Sequence, residues 1–270
     1  MIKKHIPNAI TCGNLLCGCF AILFTSSYRL EAAFYLLVIA AVLDFFDGFT
    51  ARLLKVSSPI GKDLDSLADM VTFGVLPGFI MYKMIALSIL NYNLDLAIDV
   101  FSLFRIGEPQ LEELSKIDIT NMAVLFIAFI AFIIPVFSAI RLAKFNNDTR
   151  QSDSFIGLPT PANGLLIASL GFILMNQLHG YSGHPVNSII FNPYFLAFLS
   201  CLLSFLLVAE LPLIALKFKN FGWADNKMRF ILIGLTVVIL AVFQFVGIPL
   251  VIILYILLSI VNNIFFKKKV

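Results

Sequence analysis

Asp44-Phe-Phe-Asp47-Gly48-Phe-Thr-Ala51-Arg52 is followed eight residues later by Gly61-Lys-Asp-Leu-Asp65-Ser-Leu-Ala-Asp69. The pair sets four acids at helical spacing, Asp44, Asp47, Asp65 and Asp69, and two glycines among long apolar runs. Asp44, Asp47, Gly48 and Ala51 follow the i, i+3, i+4, i+7 spacing of one helix face. Gly61, Asp65, Ala68, Asp69 and Thr72 share a face of the next helix in the same way. Two neighbouring antiparallel helices with these faces opposed bring four carboxylates together. Buried without partners, each costs several kcal/mol, and like charges repel. Arg52 and Lys62 cannot neutralise four acids. One or two divalent cations can, and hard oxygen donors suit Mg²⁺ or Mn²⁺, which also bind through substrate phosphates. Two ions clamping a phosphoryl group are a recurring catalytic device. Gly48, Ala51, Gly61 and Ala68 on the same faces leave room for a substrate, for which a phosphate ester fits.

Working outward, the chain has 270 residues, of which 60% are hydrophobic, 13% are charged and 28 are Phe. Soluble domains average roughly 45–50% apolar and 25% charged residues, so the class is an integral membrane protein. The expected fold is all-α, a polytopic transmembrane bundle of about eight spans with both termini cytoplasmic. The first spans are expected at Ile10 to Thr25, at Ala32 to Leu54 carrying the first acids, and at Ile60 to Leu90, with Pro59 in its first turn. Pro77 predicts a bend near Gly74 to Gly78. Later spans are expected at about 121–142, 161–178, 194–216, 229–246 and 248–266. The basic N-terminal arm and first apolar run are read as an uncleaved span. Between the third and fourth spans, Glu108, Leu111, Glu112, Glu113 and Leu114 predict a short amphipathic helix.

The 19 Lys and Arg test this layout. Lys3, Lys4, Arg52, Lys55, Lys62, Arg141, Lys144, Arg150, Lys217, Lys219, Lys227, Arg229 and Lys267 to Lys269 fall on one side. Arg29, Arg105 and Lys116 fall on the other, and Lys83 lies in the outer half of a span. The positive-inside rule makes the rich side cytoplasmic. The net charge of +3 is thus a topology signal and no reason to invoke nucleic acid. Cys12, Cys17, Cys19 and Cys201 lack the paired spacing of a zinc site. His5, His179 and His184 are scattered and support neither a triad nor a His–Ser pair. Trp223 and the many Phe read as lipid-facing or interfacial.

The run Asp-x2-Asp-Gly-x2-Ala-Arg-x8-Gly-x3-Asp-x3-Asp from Asp44 to Asp69 resembles the signature of the CDP-alcohol phosphatidyltransferases, with no departure. The resemblance implies an all-helical membrane bundle, commonly a homodimer, with its site open to the cytoplasm at the inner membrane. It implies transfer of a phosphatidyl group from CDP-diacylglycerol to an alcohol, with release of CMP. It further implies that Asp44, Asp47, Asp65 and Asp69 hold two metal ions and that Asp69 is the general base. Gly48 and Arg52, with Asn8 and Ser58, would contact CDP-diacylglycerol. By the same resemblance residues 1–216 form the membrane domain with the family's six-helix core, and 217–270 add two helices and a basic tail.

Three further segments resemble the branch of the family that uses L-serine: Ile6-Pro7-Asn8-Ala-Ile-Thr11, Arg141-Leu-Ala-Lys144-Phe-Asn146, and Gly157-Leu-Pro159-Thr-Pro161-Ala. Lys144 stands where Arg is common, and Asn163 where a small residue is common. Arg141 is the candidate contact to the acceptor, since a guanidinium presents a fork of donors; topological anchoring is its other reading. Glycerol-3-phosphate and inositol remain alternative acceptors. A divalent-cation or proton-coupled transporter is the alternative of another class, and a membrane scaffold leaves the acids without a role. Transporters hold their acids near the bilayer midplane in inverted repeats, and no repeat is visible here. With no exposed nucleophile beside the acids, direct attack is expected over a covalent intermediate.

Overall fold

The computed structural model describes residues 5–56, 58–92, 126–147, 155–178, 192–214 and 222–265. The chain is an all-α, polytopic membrane protein. Helix α1 (His5–Ser26) and α2 (Leu30–Leu53) form the most extensive pair. Helix α3 (Pro59–Asp69) runs through a π turn (Met70–Val75) into α4 (Leu76–Tyr92). A 3₁₀ turn (Ile130–Phe132) precedes α5 (Ile133–Asn147). A two-residue strand β1 (Phe155–Ile156) leads into α6 (Thr160–Leu178). Then come α7 (Pro193–Val208), β2 (Pro212–Leu213), α8 (Trp223–Phe243) and, after a 3₁₀ turn (Gln244–Gly247), α9 (Ile248–Phe265).

Among the described residues, five stretches are long and apolar enough to cross a membrane: His5–Ser26, Leu30–Leu53, Pro59–Ile89, Phe126–Asn147 and Asn226–Ile264. The last is broken at Gln244, whose φ of 50° ends α8. The proposed amphipathic helix at 108–114, His179, His184 and the basic tail lie outside the described residues.

Local chemistry explains the rods that carry the acids. No proline interrupts α2. Ser58 caps α3 by accepting from the Gly61 N–H at 3.0 Å, and Pro59 occupies the first turn, where its missing N–H costs nothing. Pro7, Thr11, Asn14, Gly18, Ala21 and Thr25 line the buried face of α1 at helical spacing. These mostly small side chains let neighbouring backbones come close. A side chain at Gly18 would collide with Thr72 of the π turn, so α1 crosses that turn in near-backbone contact. The apolar core, with Phe34, Leu37, Phe73, Ile80 and Met84 fully buried, lies among α2, α4 and α6.

Three expectations change. The acid-bearing helices α2 and α3 do not pack tightly on each other; α1 touches both and spaces them. The irregularity expected at Gly74 to Gly78 appears earlier, as the π turn Met70–Val75. Pro77 cannot donate to the carbonyl of Phe73, and the wide turn takes up that missing bond. Finally, the helix expected over 194–216 stops at Val208, and Ala209 is extended (φ −60°, ψ 140°). The ring of Pro212 would clash with the Val208 carbonyl, four residues back, in a continued helix.

Candidate active site

Helix α2 supplies Asp44 and Asp47, and α3 supplies Asp65. One carboxylate oxygen from each lies within 4.8 Å of the others. Asp69, one turn further along α3, sits beside Asp44. Helix α1 adds the third wall. Its Thr11 hydroxyl donates to Oδ2 of the buried Asp47 at 2.7 Å, and also lies 3.1 Å from the Pro7 carbonyl. Oδ1 of Asp69 is buried with no hydrogen-bond partner.

The nearby cations serve other purposes. Arg52 Nε donates back to the Gly48 carbonyl at 3.0 Å, and Lys62 Nζ donates to the Asn146 carbonyl at 3.0 Å. At an effective dielectric of about 20, two unit charges about 5 Å apart repel by roughly 3 kcal/mol. Three carboxylates at this spacing, a fourth adjoining, and an orphaned buried oxygen form an electrostatic sink with no cation in contact among the described residues. The donor set is all hard oxygen from rigid helices, which fits a divalent cation and leaves coordination positions for water or phosphate. Asp44, Asp47 and Asp65 thus form a group able to hold a metal ion.

Beside the acids opens a cavity of about 270 Å³, lined by Pro7, Asn8, Thr11, Asp47, Gly48, Ala51, Val56, Ser58, Gly61, Lys62 and Asp65. It gathers Asn8, Gly48 and Ser58 from three separate elements against two of the acids. A Cβ at Gly48 would meet no atom within 4 Å, so the glycine leaves that wall as bare backbone facing open space. At Gly61 a Cβ would stand 3.0 Å from both Asn8 Oδ1 and Ser58 Oγ. That close approach brings the three residues to one rim. Arg52, exposed and folded back on its own helix, does not line this cavity.

Arg141 sits apart from the cavity. It is only 8% exposed, its Nη1 donates to Thr160 Oγ1 at 3.5 Å, and its Nε is buried without a partner. Its guanidinium lies 5.4 Å from the Phe145 ring centre. Lys144, three residues on, is exposed. The two basic residues, which share a place at the end of one span, therefore differ: Lys144 is free to mark the membrane surface, while Arg141 turns inward, within electrostatic reach of Asp69.

Two residues take roles at the site that their sequence context does not announce. Thr11 orients Asp47, and its signal is faint: it lies three residues after Asn8, on the same face of α1. Lys62 lines the cavity, yet its ammonium bridges to α5, where Asn146 Nδ2 also donates to Ser66 Oγ at 2.8 Å. Glu210 is exposed and takes no part.

Comparison with known proteins agrees with this geometry. The sequence model described as CDP-alcohol phosphatidyltransferase matches residues 4–206. A CDP-diacylglycerol–serine O-phosphatidyltransferase of Helicobacter pylori strain J99 is 32% identical over 270 residues, covering 98% of this chain and 93% of its own. The protein of that name from Bacillus subtilis is 30% identical over 218 residues, covering 81% of this chain and 92% of its own. One from Methanocaldococcus jannaschii is 27% identical over 173 residues, covering 64% and 63%. The matched region contains the whole four-aspartate motif, and the chain belongs to the CDP-alcohol phosphatidyltransferase family.

Proposed function

We propose that the protein transfers the phosphatidyl group of CDP-diacylglycerol to the hydroxyl of L-serine, giving phosphatidylserine and CMP. The observation that carries this reading is the aspartate cluster forming one wall of a glycine-floored cavity. The names of the relatives supply donor and acceptor. The cytidine diphosphate portion occupies the cavity, with its phosphates toward Asp47 and Asp65 and its backbone approach at Gly48. Asn8 and Ser58 contact it from the rim, and Arg52 does so after turning outward from the Gly48 carbonyl. Both acyl chains stay in the bilayer, which accounts for a phosphoryl-transfer site on membrane helices.

Asp44, Asp47, Asp65 and Asp69 would hold two Mg²⁺ or Mn²⁺ ions, which, when bound, neutralise the pyrophosphate and the charge that builds at phosphorus. The rest of the chemistry belongs to the chain. Asp69 takes the proton from the serine hydroxyl. The serine oxygen then bonds to the phosphorus that carries diacylglycerol, and the bond from that phosphorus to the CMP oxygen breaks. Attack is direct, with the carboxylates committed as ligands to the ions. Arg141 orients the serine carboxylate with its forked donors. Thr11 holds Asp47 in the rotamer that faces the other acids. The enzyme works as a homodimer in the cell's inner membrane with the site facing the cytoplasm, in keeping with the Lys and Arg asymmetry.

The test of the acceptor uses purified protein, CDP-diacylglycerol, Mg²⁺ or Mn²⁺, and one alcohol at a time, with CMP and lipid product followed together. Serine should support CMP release and yield phosphatidylserine. Turnover with glycerol-3-phosphate or inositol but not with serine would show the acceptor assignment to be wrong. The role of Thr11 has its own check. Thr11→Val keeps the shape and removes a hydrogen bond to a charged group, worth about 1.5–3 kcal/mol. Its kcat/KM for CDP-diacylglycerol should fall about tenfold or more; an unchanged value would leave Thr11 a packing residue.

A further inference from the structure

Tyr255, Ser259 and Asn263 lie four residues apart on α9, a polar line along a mostly apolar helix. All three reach the same short segment. Tyr255 Oη donates to the Ile214 carbonyl at 3.1 Å. The Ile214 N–H donates to Ser259 Oγ at 3.2 Å, while that hydroxyl donates to the Tyr255 carbonyl at 2.7 Å. Asn263 Nδ2 donates to the Pro212 carbonyl. Residues 209–214 have left helix α7, so their backbone groups need partners in an apolar surrounding. Helix α9 supplies them.

The held segment is not an end in itself. Strand β2 pairs antiparallel with β1, Phe155 opposite Leu213 and Ile156 opposite Pro212. The Gly157 N–H donates to the Leu211 carbonyl at 3.0 Å, and the Leu158 N–H to the Leu206 carbonyl at 2.9 Å. Gly157 has φ 76°, and a Cβ there would stand 2.5 Å from the Leu207 carbonyl oxygen, so only glycine lets the ribbon close. Three residues later Thr160, fully buried, meets Arg141. A continuous line of hydrogen bonds and covalent chain thus runs from α9 through the ribbon to the start of α6 and the guanidinium. The segment 212–214 and all of α9 lie beyond the residues matched by the family.

We propose that the last helix is a positioning element for the acceptor: Tyr255, Ser259 and Asn263 fix the 155–160 turn, and through Thr160 they set the direction of Arg141. The inference rests on Arg141 as the acceptor contact. A guanidinium with a buried, unpaired Nε has donors to offer, and the ribbon decides where they point.

The experiment uses the full chain in detergent or nanodiscs. Tyr255→Phe removes one oxygen, and Tyr255→Phe with Ser259→Ala removes both bonds to Ile214. The serine KM should rise about tenfold in the double variant, and less in the single, while the KM for CDP-diacylglycerol stays within about twofold. A mere loosening of the bundle would move both constants together, and that result, or an unchanged serine KM, would overturn the proposal. If the double variant fails to assemble, Tyr255→Phe alone decides by the same split. Arg141→Ala separates the two levels. If it raises the serine KM and the α9 variants do not, the positioning role falls and the acceptor reading stands. If it leaves the serine KM unchanged, both fall.

Discussion

Asp69→Asn should release CMP at about one-thousandth of the parent rate or less: in the proposed mechanism it loses the general base, which alone contributes roughly 10²–10⁴-fold, and a ligand to the metals as well. Asparagine keeps the shape and one oxygen, so the helices should assemble unchanged. It loses the negative charge and the site that receives the serine proton. Oδ1 of Asp69 is buried and unpartnered, so this oxygen is open to a substrate hydroxyl. The measurement is steady-state CMP release at saturating CDP-diacylglycerol and serine, with circular dichroism as the check on helix content. Asp44→Asn provides the contrast: it should weaken Mn²⁺ affinity, and raised Mn²⁺ should recover part of its rate. Added Mn²⁺ should leave Asp69→Asn inactive. Turnover of Asp69→Asn within tenfold of the parent would remove it as the base.

Removal of divalent ions should have an effect as large. With a chelator the rate should drop to background, and Mg²⁺ or Mn²⁺ added in excess should restore it. The reason lies in the charge balance of the site. Among the described residues, carboxylates within 4.8 Å of one another, with Arg52 and Lys62 bonded to backbone carbonyls, have no counter-charge in contact. An ion that binds the folded state stabilises it by RT ln(1 + [L]/Kd), so the unfolding temperature should rise as Mn²⁺ is titrated in. Asp65→Asn should blunt that rise. Full turnover in the presence of chelator would end the metal reading. A temperature rise without any dependence of rate would make the ion structural only.

The acid motif was legible because its information is local. Periodicity alone puts Asp44, Asp47, Gly48 and Ala51 on one face, and Ser58 with Pro59 marks where the next helix begins. Residues 4–206 match the family that this motif suggests. The features that stayed hidden depend on neighbours. A membrane helix is apolar on all sides, so hydrophobic periodicity gives little sign of which face turns inward. Topological anchoring therefore stood open for Arg141 as for Lys144, although one is buried and the other exposed. Thr11 reaches Asp47 across 36 positions, and only the α1–α2 pairing reveals it. The end of α7 was written in Pro212, but the partners that make an extended segment tolerable there come from α9, 41 to 51 residues away.

The π turn between Asp69 and Leu76 also sets a rotation along its rod. An α-helix advances about 100° per residue, and a single wide turn adds roughly one residue to the count, so it rotates α4 relative to α3 by about that angle. Before the turn, the rod presents Asp65 toward Asp44 and Asp47. Within it Gly74 meets Ser138 of α5, and after it Gly78 meets Pro135. The turn thus works as a phase offset in a single shaft. The carboxylates keep one azimuth and the packing surface keeps another, so a single rod serves the acid cluster and the contact with α5 at once.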